Sequence, residues 1–109
     1  MDLSLITARR EAFQASLQGL VGDIPVYYMP PENIKMTYPC FVIELDKPDN
    51  LYANGRVYNT FTKFVLKYIT RKVDDEIVDR LFDSMKYISF DRAYTADNLR
   101  HYVFNVHLV

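Results

Sequence analysis

Tryptophan is absent from this 109-residue chain, cysteine occurs once, histidine twice and glycine three times. Each scarcity excludes something. The lone Cys40 forbids an internal disulfide and any zinc-finger spacing, and it fits a protein made in a reducing compartment. Glycines at 19, 22 and 55 cannot form a GxxxxGK or GxGxxG phosphate loop. His101 and His107 stand six positions apart on one face of a strand-like segment, too far to chelate a metal together. Neither sign of charge is in excess. Thirteen Lys and Arg against fourteen Asp and Glu leave a net charge of −1, which argues against a general nucleic-acid or membrane-surface binder. No apolar run is long enough to span a bilayer. The start of the chain, with Asp2, Arg9, Arg10 and Glu11, lacks the basic-then-apolar pattern of a signal peptide. The expectation is a soluble domain made in the cytosol, without membrane contact.

What is present points to one folded domain. Half of the residues are hydrophobic and a quarter charged, which excludes disorder of the whole. A chain of this length buries roughly two-thirds of its unfolded surface, enough for a core without metal or disulfide. Nine Tyr and seven Phe exceed what a small core needs. Tyr is enriched at protein interfaces, so a partner-binding or oligomeric protein is one reading. The other is that these rings line sheet faces with their hydroxyls in water.

Periodicity gives the elements. Leu3, Ile6, Phe13, Leu17 and Leu20 recur at helical steps, predicting a first helix capped at Ser4 or Thr7 and ending near residue 20. Gly19 and Gly22 mark its exit. Residues 24–28 read as a short strand, at an edge because of Pro25. The Met29-Pro30-Pro31-Glu32-Asn33 segment is a rigid loop. Residues 38–45 form a strand buried on both faces. Turn signals at Lys47-Pro48-Asp49-Asn50 and Asn54-Gly55 bracket Leu51-Tyr52-Ala53, which is either a loop folded back or an exposed arm tip. Residues 56–70 alternate with period two, and their length predicts a protruding hairpin arm. A second helix is expected over residues 74–85, with Asp74 and Asp75 at its start and Ile77, Val78, Leu81, Phe82 and Met85 on its buried face. The last residues, 89–109, read as a hairpin. In its second arm Tyr102, Phe104, Val106 and Leu108 face the core, while His101, Val103, Asn105 and His107 face away. The fold class is α+β: a mainly antiparallel sheet with two helices packed on one face and a long protruding β-hairpin, all in one domain over residues 1–109.

Candidate chemistry is thin. Cys40 is a nucleophile only if a histidine such as His101 approaches it; within its apolar run a buried, inert thiol is the simpler reading. Asp74, Asp75 and Glu76 suggest magnesium or, more simply, a helix cap. Lys63, Lys67, Arg71 and Lys72 form a modest basic stripe beside those acids, either a phosphate contact or an ordinary strand face. No catalytic, cofactor or metal site is expected, and no enzyme.

Several stretches resemble one family. Tyr38-Pro39-Cys40-Phe41-Val42, Asp46, Leu51-Tyr52-Ala53-Asn54, Thr62-Lys63, Ile69, Asp74, Glu76 and Ile77 carry part of the likeness. The strongest part is Ser89-Phe90-Asp91-Arg92 with Tyr94-Thr95-Ala96-Asp97-Asn98-Leu99, followed by His101, Val103, Phe104 and Asn105. Over residues 38–109 the chain resembles the tail terminator, or tail completion, proteins of long-tailed bacteriophages. The resemblance implies a structural virion protein of the tail and neck. Its copies would form a ring, typically of six subunits, that caps the tail tube protein. The ring would then join the head connector or stopper protein and let DNA pass through its lumen without reading sequence. A head-closure or stopper protein is the neighbouring alternative, and a small α+β enzyme or ligand-binding domain the alternative of another class. Ring subunits need unlike patches that fit each other. Leu51, Tyr52, Ala53 and Asn54 are expected in one contact, and Arg92, Tyr94, Asp97 and Asn98 in another. Arg92 and Asp97 are alternatively an ion pair within their own hairpin.

Overall fold

The computed structural model describes residues 3–46, 49–53, 56–73 and 75–108, with side chains throughout except at 3, 49–53 and 56–61. Helix α1 (Leu3–Val21) leads into β1 (Val26–Tyr28), β2 (Cys40–Leu45), β3 (Asp49–Ala53) and β4 (Arg56–Thr70). Helix α2 (Glu76–Ser84) and the strands β5 (Ile88–Ala96) and β6 (Leu99–Leu108) complete the chain. The sheet runs β1-β2-β4-β6-β5, with β3 pairing with β4 off that path. β1 is parallel to β2, and the other pairings are antiparallel. The α+β class expected from the sequence is the observed one.

Period and burial explain the layers. Along α1, Ile6, Phe13, Leu17 and Val21 are buried. They meet Phe41 and Ile43 of β2, Phe64, Leu66 and Tyr68 of β4, and Phe104 and Val106 of β6. Leu81 of α2 and Met85, the residue that caps its end, join the same cluster, so both helices cover one face. Each large side chain fully buried here contributes roughly 1.5–3 kcal/mol. Arg9 and Arg10 are half-buried on α1 and reach the sheet. Arg9 donates to the Thr62 hydroxyl at 2.7 Å, and the Arg10 guanidinium stands 4.4 Å over the Tyr28 ring.

The other face has a smaller cluster of Cys40, Val42, Ile69 and Leu99, against which Tyr27, Met36 and Tyr38 pack. Val103, expected to face away from the core, is buried too. The two-proline loop between β1 and β2 folds over this face beside Val42 and Ile69, so β2 is buried from both sides as its continuous apolar run requires.

Several boundaries differ from expectation. Ser4 and Thr7 lie inside α1 and do not cap it. Gly22 does close the helix: it takes φ 69° and its N–H donates to the Gln18 carbonyl at 3.0 Å. Leu51, Tyr52 and Ala53 do not form a loop folded back on the domain. Their backbone is strand, paired with Asn59, Val57 and Arg56. Phe82 is 44% exposed and not a buried residue of α2, because its ring sits over the sheet border against Phe90 and Phe104. Asp74 lies outside the described residues, and the N-cap of α2 is Asp75.

Candidate interaction surfaces

The β5–β6 hairpin turns through Asp97 and Asn98 alone, both left-handed at φ 52° and 62°. Two positive φ values at the central positions are the requirement of a type I′ hairpin turn, whose twist matches that of the flanking strands. Asp and Asn tolerate this region better than other side-chained residues. A two-residue turn then fixes the partners. Ala96 faces Leu99, Thr95 faces Arg100, and Tyr94 faces His101. The Tyr94 and His101 rings stack at 4.6 Å with 9° between planes. His101 Nδ1 lies 3.1 Å from the Leu99 carbonyl. Between Phe90 and Arg92 the register shifts, leaving Asp91 as the extra residue of a bulge.

Arg92 forms its ion pair with the adjacent Asp91 at 2.7 Å, and its guanidinium lies 6.0 Å from the Tyr94 ring. The expected pairing of Arg92 with Asp97 is not what the hairpin makes. Asp97 sits in the turn while Arg92 faces Val103 well along the strand, and the bulge leaves Asp91 beside it. Arg92, Tyr94, Asp97 and Asn98 are all exposed, on a strand exposed at every position from 89 to 95.

The first expected group lies elsewhere. β3 pairs with residues 56–61 of β4, whereas the turn at 97–98 lies beyond Arg100, the partner of Thr70 at the far end of β4. The two groups therefore occupy opposite ends of the longest strand. Asn54 lies outside the described residues.

A cleft of about 480 Å³ runs between the two-proline loop and the sheet. Met29, Pro31 and Ile34 form its outer wall, and Glu44, Lys67, Tyr94 and His101 line the sheet side. Lys67 donates to Glu44 at 3.2 Å, so a central member of the basic stripe is already neutralised. Arg71, a second member, lies 5.9 Å from the Tyr38 ring. The sequence reading missed this cleft. The signal was a rigid loop rich in Met, Pro and Ile next to a doubly buried strand.

One buried polar network stands behind α2. Asp75, 7% exposed, accepts from the Tyr68 hydroxyl at 2.6 Å, the Thr70 hydroxyl at 3.2 Å and the Ile77 N–H at 3.2 Å. Burial alone would raise the Asp75 pKa, but these hydrogen bonds and the nearby Lys72 charge hold it below its ordinary value. Burial and the Asp75 partner push the Tyr68 hydroxyl up, so it stays protonated and donates. Cys40 is fully buried, and that burial raises its thiol pKa to about 11. Among the described residues no three His, Cys, Asp or Glu side chains gather as metal ligands. No helix among them is long and apolar enough to cross a membrane.

Neither a protein-family model nor a curated protein sequence matches the chain.

Proposed function

We propose that this chain is a structural protein of a long-tailed bacteriophage: a tail terminator whose copies form a ring on the end of the tail tube and join it to the head connector. The observation that carries the reading is the β5–β6 hairpin. The stretch with the most particular resemblance, residues 89–105, ends the sheet in a long, exposed border strand with a tight turn at its tip. Such a border offers backbone groups and exposed side chains to another chain, which an assembly protein needs. In this reading the protein acts by shape. Tail tube protein and connector or stopper protein are its partners, and DNA passes through the lumen of the ring.

The experiment is mass measurement and electron microscopy of the purified chain, alone and with its tail tube protein. Rings at the ends of capped tubes are the expected result. A chain that stays monomeric and leaves tube length unchanged would sink the reading.

A further inference from the structure

Several backbone borders lack a partner strand among the described residues, the outer sides of β1 and β3 included, and two others are the longest unpaired stretches that match each other. One is the outer side of β5, the last strand in the sheet order. The other is the side of β4 that faces β6. There β6 ends at Leu108 opposite Thr62, so residues 56–61 pair with β3 on one side and with nothing described on the other. A ribbon of two strands is marginally stable in water without a third strand or a packing surface. A long, exposed border strand is equally a template for pairing. Among the described residues, a single copy gives neither of these two borders a strand to pair with.

We infer that β5 of one copy adds as a third strand to residues 56–61 of β4 in the next copy, joining the subunits by a continuous sheet. The occupant is a second copy of this chain because each copy carries one of each border. Unlike borders meeting in this way form a head-to-tail contact, which propagates from copy to copy and ends only on closure. The lengths match. Beyond the bulge at Asp91, β5 is regular over residues 92–96, about the span of residues 56–61 at roughly 3.3 Å per residue. The bulge limits the joint to that stretch, since it bends the strand and interrupts its ladder ahead of Arg92. This inference rests on the ring reading above and names the joint within it.

The test uses the full chain. Thr95 is exposed on β5, and Thr95→Lys places a charge at the joint without touching the core. It is expected to weaken association by about tenfold or more while far-UV circular dichroism is unchanged. Two single variants, Thr95→Cys and Asn59→Cys, are then mixed under mild oxidation, with the buried Cys40 left in place. Mixed dimers in excess of either homodimer support the joint. If wild-type rings form but Thr95→Lys assembles equally well, or Thr95→Cys cross-links chiefly to itself, the joint is overturned and the ring reading stands. If the wild-type chain never assembles, both fail.

Discussion

Removing the Asp75 carboxylate takes away the cap of α2 and leaves the buried Tyr68 and Thr70 hydroxyls without their acceptor. Asp75→Ala is therefore expected to cost about 2–4 kcal/mol in a denaturant titration, the sum of a lost cap and unsatisfied buried donors. Its folded pKa lies below the ordinary 3.8, so its contribution is complete above that value and is lost as pH falls through the folded pKa. The stability gap between wild type and Asp75→Asn should be widest near neutrality and shrink on acidification below about pH 4. Cys40 works in the opposite direction. Its pKa is raised to about 11, so its contribution is full below its unfolded value and is lost as the solution becomes strongly alkaline. At pH 8 an alkylating reagent should label it only as fast as the protein unfolds. The sequence marked Asp75 as part of a helix start and Cys40 as buried. It did not show that Tyr68 and Thr70 converge on Asp75, because that meeting depends on how the end of β4 turns into α2.

Among the elements, those with unbroken periodicity were legible. β4 has the bounds that its alternation indicates, and α2 differs at its ends only. The terminal hairpin was readable because Asp97-Asn98 accepts left-handed backbone and its arms alternate. Asn98→Val should cost about 1–2 kcal/mol, since a β-branched residue there is forced into the left-handed region. Asn98→Gly should be tolerated or slightly stabilising, and thermal melting separates the two. What the sequence hid came from tertiary contact. The two-proline loop read as a connector, yet it buries Val42 and Ile69 and forms the wall of a cleft. Phe82 fell on the apolar stripe of α2, but the stripe overhangs the border of the sheet. Phe104, beneath Phe82 and Phe90, is fully buried, and Phe104→Ala should cost about 3–5 kcal/mol.

At the scale of the whole molecule, protection should follow the sheet order. Residues 62–70 of β4 and the full length of β6 are paired on both sides or packed beneath the helices, and their amides should exchange most slowly. Exchange at residues 92–96 should be faster in the monomer and slow on assembly, a change that hydrogen exchange reads directly. The candidate interface was legible only as two patches. Their separation along β4 appears once register is known, because register decides that β3 and the 97–98 turn lie at opposite ends.

The extra residue at Asp91 bears on how this chain tolerates changes in length. Between Phe90 and the turn, β5 holds one residue of slack. Losing a single residue there can be absorbed by straightening the bulge, with the turn and the Tyr94–His101 stack kept in place. β6 has no such slack. It is locked residue for residue against β4, so one deletion there turns half of its side chains to the wrong face. Of two neighbouring strands of similar length, one can lose a residue and the other cannot.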